Sequence, residues 1–359
     1  MTTALQEKDF PQYMTRELVE QWGDSIPCFS ENDPSAPEWT PTPVIPADLT
    51  PFGYGQVLIK NEAVPSNPTH TIKDRSAWEI AALYRDFARL LYMRTKTGND
   101  SKLDAIPVPR FSVLTAGNAG RALAHVFHRY GLPPIKLLID ENISAERLGS
   151  LKQLWADIYC VDLKAQSLTP FDIKALTNNS QGIDLTSVMT LEPHAVFYDW
   201  HVHEAFNESP DEIYVPYGSG RLFENYLTWQ ERTLRAASQG QRDPRLQVSA
   251  TTVITMDILG AEPLLPTSRA DKLTKPWHPF LILEKDDMSA LQVLGATGSN
   301  TGVYGVLEEK IRDADTIMNR FCPAEPSAAA GLALYMQRCD AGRVDPHKKV
   351  LIINTGKGI

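Results

Sequence analysis

A chain of 359 residues, 43% of them hydrophobic and 22% charged, carries enough apolar side chain for two packed domains, since single cores stop growing near about 250–300 residues. That balance excludes a disordered, collagen-like or coiled-coil protein. The 35 basic and 44 acidic residues leave a net charge of −9, a field that repels phosphate backbones and offers anionic membrane no general attraction, so no nucleic acid and no membrane is expected as a partner.

The N-terminal MTTALQEKDFPQYMTRELVEQW is too polar for a signal peptide, and no later stretch approaches the ~20 apolar residues of a membrane span. Pro11, Pro27, Pro34, Pro37, Pro41, Pro43 and Pro46 predict an irregular arm wrapped over a domain. QVLIK (56–60) then reads as a short strand, and residues 76–91 place Ile80, Leu83, Tyr84, Phe87 and Leu91 at helical spacing, so a core-facing helix is expected just after Lys73-Asp74-Arg75. A strand over 111–115 runs into Gly117-Asn118, a helix over 122–130 stops at Gly131, and a strand follows at 135–139. Apolar runs at 158–161, 213–215, 252–254, 280–283 and 350–353 are separated by helix-length segments. This alternation predicts a mainly parallel sheet with helices on both faces. Cys28, Cys160, Cys322 and Cys339 form no CxxC pair, which points to reduced thiols in a cytoplasmic protein and to no thiolate metal site.

Ligands of open α/β sheets sit beyond the carboxyl ends of strands, so the loops there carry the functional information. NPTHTIKDR (67–75) delivers Lys73 at a helix start. A buried amine can condense with an aldehyde, whereas a solvated KDR run would be plain surface. TAGNAG (115–120) is either a set of backbone N–H groups aimed at an anion or an ordinary glycine turn with an Asn cap. VPYGSGRL (215–222) is again strand, glycine loop, helix; the backbone can cradle a phosphate, although neither a P-loop nor GxGxxG spacing is present. INTGKG (353–358) ends a buried strand with the Thr355 hydroxyl or is a simple C-terminal turn. DWHVHE (199–204) suggests a metal site, but residues two apart on a helix point to nearly opposite sides, so packing is the expected role and no metal is assigned. GATGSNTG (295–302) follows no clear strand and reads as a connection.

In this order, the segments resemble the fold type II family of pyridoxal 5′-phosphate (PLP) enzymes, which includes threonine synthase, threonine dehydratase, cysteine synthase and the tryptophan synthase β subunit. KNEAVPSNPTHTIKDR is similar to K-x-E-x-x-NPTGSFKDR, TAGNAGRALA to SSGNAGxALA, VPYGSGRL to VPVGxGG, AEPSAAAGLAL to EPSGAAxLA, and INTGKG to the TGxGxK ending of threonine synthases. The resemblance implies an α/β protein of two open twisted domains with PLP in the cleft between them. The larger domain would comprise residues 1–75 and 192–359, and the smaller, mobile one 76–191. It implies Lys73 as the Schiff-base lysine, Asn118 beside the cofactor's phenolic oxygen, and Gly218, Ser219 and Gly220 around its phosphate. Thr355 would face the ring nitrogen and Glu325 the ring. Thr115, Ala116, Gly117, Asn118 and Ala119 would receive the substrate carboxylate.

Five departures qualify that pattern. His70 stands where the family usually has Gly, Ala116 where Ser is common, Arg221 where the phosphate loop has another Gly, Ser76 after KDR where Gly is usual, and Ala328 where EPSG has Gly. Arg221 and His70 offer groups for a phosphate or an anionic substrate. The implied activity is β- or γ-elimination or replacement on a small amino acid, threonine synthase-like first, with serine/threonine dehydratase or cysteine synthase-like activity as the alternative, in a homodimer. A protein of another class, a catalytically altered regulatory or interaction module on the same fold, is the rival reading.

Overall fold

The computed structural model describes residues 3–25, 41–97, 105–115, 117–163, 168–186, 198–218, 220–237, 247–253, 268–273 and 301–358. The described residues form two sheets. The first has the strand order β1-β6-β5-β4-β7, from β1 (Thr3–Gln6), β4 (Phe111–Leu114), β5 (Ile135–Asp140), β6 (Ala156–Val161) and β7 (Ile183–Asp184). All its pairings are parallel except that of β1 with β6. The second has the order β10-β9-β8-β11-β3-β2, from β2 (Val44–Asp48), β3 (Gln56–Asn61), β8 (Glu212–Pro216), β9 (Gln247–Val253), β10 (Gly302–Val306) and β11 (Val350–Asn354). Only its edge strand β2 runs antiparallel.

Nine α-helices cover these sheets among the described residues: α1 (Arg16–Ser25), α2 (Lys73–Thr97), α3 (Asn118–Arg129), α4 (Ala145–Lys152), α5 (Pro170–Leu176), α6 (Asp199–Asn207), α7 (Arg221–Ala237), α8 (Glu308–Met318) and α9 (Ala330–Asp340). None is long and apolar enough to cross a membrane. The central parallel strands β8 and β11 are buried along their whole length, and successive residues serve opposite faces. On β8, Ile213 and Val215 enter one core while Tyr214 enters the other; on β11, Leu351 and Ile353 oppose Val350 and Ile352. The first core is anchored by aromatic edges: Trp22 lies 5.4 Å from Tyr84, which lies 5.1 Å from Phe111 and 5.5 Å from Phe127.

The expected irregular N-terminal arm is corrected by the structure. Residues 3–25 and 41–48 supply β1, α1 and β2. β2 accommodates Pro46 because it is an edge strand, where one missing N–H costs no pairing on the outer side. β1 joins the five-stranded sheet, and α1 packs on α2. The strand expected over 280–283, the end of that over 252–254 and the 191/192 boundary lie outside the described residues.

Candidate active site

Lys73 opens α2 at the end of a turn folded by its own side chains. Asn67 Nδ2 donates to Glu62 O (2.8 Å) and Oε2 (2.9 Å), and the Asp74 carboxylate accepts from Thr69 N (3.0 Å) and Thr69 Oγ1 (2.9 Å). Burial pushes Asp74 up to about 6 against the pull of those Thr69 hydrogen bonds. His70 takes a left-handed backbone, φ 58°, which is the physical reason a glycine is usual there; its Nδ1 lies 3.1 Å from Val64 O. The His70 side chain is therefore half-buried against its own turn, and its carbonyl accepts from Lys357 N at 3.2 Å.

The chain ending crosses this turn. Ile72 N donates to Thr355 O at 2.9 Å, and Thr71 bridges Gly356. Gly356 has φ 143°, and a Cβ there would sit 2.7 Å from His70 O, so only glycine permits this crossing. Gly356 O in turn accepts from Glu325 N at 3.0 Å. Glu325 Oε1 receives Asn118 Nδ2 at 3.0 Å, while its other oxygen pairs with Lys272 Nζ. Lys272 sits on the short turn Asp271–Leu273, and its carbonyl stands 3.0 Å from where a Gly218 Cβ would be. The segments that bear Lys73, Thr355, Glu325, Asn118 and Gly218 are thus brought together, and Lys272 joins them without any signal in the sequence.

The TAGNAG loop departs from expectation in one respect. Thr115 Oγ1 accepts from Gly117 N (3.2 Å) and Gly120 N (3.3 Å), so those two N–H groups brace the loop and are not the ones an anion would use. Asn118 and half-buried Ala119 start α3. Ala116 and Ser219 lie outside the described residues. Gly220, at φ 84°, leads into α7, whose first residue Arg221 is not turned to solvent: its side chain is 14% exposed, and Nη1 donates to Glu224 Oε2 at 2.9 Å. Among the described residues, Arg221 Nη2 and Asn118 Oδ1 are buried without a hydrogen-bond partner. A buried guanidinium nitrogen lacking an acceptor, beside a glycine turn at a helix N-terminus, suits a phosphate.

Tyr198, just before α6, is not a candidate from sequence. Its hydroxyl accepts from Lys73 Nζ at 3.0 Å and donates to Ser76 Oγ at 3.3 Å. The DWHVHE segment that follows is buried in part. His201 Nδ1 lies 2.8 Å from Glu62 Oε1, its Nε2 lies 3.0 Å from Tyr226 Oη, and Glu204 pairs with Arg75 (2.9 Å) and Lys60. Arg75 Nε also donates to Glu62 at 2.8 Å. Burial would raise the Glu62 carboxyl, but the Arg75 charge and the His201 hydrogen bond hold it well below the usual carboxylate range. Burial lowers His201 despite Glu62 and lowers Lys60 despite Glu204. This cluster stitches the start of α2 to α6.

The family described as Pyridoxal-phosphate dependent enzyme matches residues 36–356. No curated protein matches the sequence. Among solved structures, O-ureido-L-serine synthase superposes with a TM-score of 0.61 at 15% identity, covering 96% of this chain and 92% of that one. A threonine deaminase from T.th. gives 0.59 at 16% identity, covering 96% and 98%. Maize serine racemase gives 0.60 at 18% identity, covering 96% and 93%. At such identities these structures speak for the fold.

Proposed function

The chain belongs to the pyridoxal-phosphate dependent enzyme family, and from that premise we propose that it is a lyase or transferase acting at Cβ or Cγ of a small amino acid, threonine synthase-like in its chemistry. The cofactor is PLP, which when bound supplies an electron sink for a substrate carbanion. The observation that supports the reading is the joining of the segments that bear Lys73, Thr355, Glu325 and Asn118 by hydrogen bonds between Ile72 N and Thr355 O, Glu325 N and Gly356 O, and Asn118 Nδ2 and Glu325 Oε1. Lys73 would hold the cofactor and then, as a free amine, take and return substrate protons. Gly218, Gly220 and Arg221 would hold its phosphate, with the orphaned Nη2 as a donor.

Thr355 would offer the ring nitrogen a neutral hydroxyl, which would favour loss of a leaving group over chemistry that needs a fully charged ring. Asn118 would bind the phenolic oxygen, and its amide is held by Glu325 at 3.0 Å. Substrate carboxylate would meet the Asn118 and Ala119 end of the α3 loop, with His70 at the margin of the site. In this reading residues 76–191 form the smaller domain, joined by β1 and α1, and the protein works as a cytoplasmic homodimer.

Dehydration of serine or threonine is the second reading, supported by the likeness to a threonine deaminase fold. A spectral and product screen tests both. O-activated homoserine should be consumed with threonine as product, whereas 2-oxo acid from serine or threonine alone would move the assignment to the dehydratase. No spectral response to any amino acid by protein that binds PLP would favour the regulatory module.

A further inference from the structure

We propose that Tyr198 is a positioning residue that orients the amine of Lys73; the inference rests on the assignment of Lys73 as the cofactor-binding lysine. Three hydrogen bonds form a closed circuit. Lys73 Nζ donates to Tyr198 Oη (3.0 Å), Tyr198 Oη donates to Ser76 Oγ (3.3 Å), and Ser76 Oγ donates to Lys73 O (3.0 Å). The Lys73 nitrogen also lies 5.4 Å from the centre of the Tyr198 ring. Ser76 occupies one of the positions where this chain differs from its family's usual pattern, and here it gives the phenol a place to send its proton.

Both ends of the Lys73–Tyr198 contact are tied to the same buried cluster. Arg75, two residues after Lys73, pairs with Glu204, six residues after Tyr198, and His201 joins the same group through Glu62. Arg75, Glu62, His201 and Glu204 are all at most 9% exposed, so the distance between the first turns of α2 and α6 is held from both sides. Tyr198 itself is 3% exposed.

The consequence is geometric. A lysine head group rotates freely about its last bonds, and a neutral amine must present its lone pair to a carbonyl or to a C–H. With one N–H engaged by Tyr198, the lone pair is directed away from the phenol. When the amine takes a proton from the substrate carbon, the C–H bond breaks, its electron pair stays on the substrate, and the proton becomes the third N–H of Lys73. Tyr198 accepts an N–H before and after this step and exchanges no bond itself.

The test is the rate at which protein freed of PLP captures added PLP, stopped at intervals with borohydride and read as mass-labelled Lys73, alongside kcat and KM. Tyr198→Phe should slow capture by about ten- to thirty-fold, the factor set by the rotamer freedom the clamp removes, and lower kcat at least as much with KM near wild type. Ser76→Ala should slow capture in the same direction by a smaller factor. Tyr198→Phe with wild-type capture and kcat would overturn the proposal while leaving Lys73 in place. If Tyr198→Phe does not fold, Ser76→Ala decides: slowed capture supports the clamp and a wild-type rate overturns it. Failure of the wild-type protein to label at Lys73 would instead overturn the underlying assignment.

Discussion

Two polar clusters flank the start of α2, two residues apart in sequence, and they are built on opposite rules. Around Arg75, the groups of Lys60, Glu62, His201 and Glu204 answer one another in donors, acceptors and charge. In the candidate site, Asn118 Oδ1 and Arg221 Nη2 are buried without partners among the described residues. A buried polar group without a partner costs about 1–3 kcal/mol, a cost that a bound ligand would relieve at these two atoms. In the proposed function the first cluster serves the scaffold and the second the chemistry.

Arg75→Ala should break the scaffold cluster most severely, costing about 3–5 kcal/mol in denaturant unfolding of the PLP-free protein, because Glu62 loses its arginine and Glu204 keeps only Lys60. A loss under about 1 kcal/mol would place the cluster among dispensable pairs. Arg221→Ala should cost the PLP-free protein less, since it breaks the single pair with Glu224, while weakening PLP affinity by roughly 1.5–3 kcal/mol, measured by fluorescence titration. If affinity holds and KM rises only for phosphorylated or dicarboxylic substrates, Arg221 belongs to the substrate and not to the cofactor.

Glu79, two turns along α2 from Lys73, separates the clusters by pH. Burial, then the Asp199 charge, raise its carboxyl to about 7. The folded protein therefore holds a proton that the unfolded chain releases near pH 4.5. Stability falls as pH rises from about 4.5 to about 7, and the loss is complete above that window. Glu79→Gln should equal wild type at about pH 4 and exceed it at about pH 8 by on the order of 1–2 kcal/mol, solvent around the half-buried side chain reducing the effect. Equal stabilities at the higher pH would contradict the shift. The smallest effect is expected of His70→Gly: relief of the left-handed backbone, worth about 1 kcal/mol, offsets loss of the contact to Val64 O, and urea unfolding should show a net change below about 1 kcal/mol.

Much of this is legible in the residues themselves. Buried parallel strands such as VLIIN and EIYVP announce themselves by apolar runs, and the turns that bear Lys73, Asn118 and Thr355 follow or precede them as expected. The edge strands are not legible. TALQ is almost fully exposed and carries no alternation, and VIPAD contains a proline that argues for an arm until its position at the sheet edge is known. Nor could the residues announce Tyr198 or Lys272. Each enters the site across a long span of chain, 125 residues from Tyr198 to Lys73 and 53 from Lys272 to Glu325, and neither side chain forms a local motif. In DWHVHE, the spacing argues against one shared face, yet His201 and Glu204 are three apart and meet the same cluster.

The most direct test of the account is where PLP attaches. The purified protein should be yellow after PLP is added, its absorbance band should vanish on borohydride reduction, and peptide mapping should place the pyridoxyl group on Lys73. A label on Lys272, the lysine in contact with Glu325, or on no lysine at all, would contradict it.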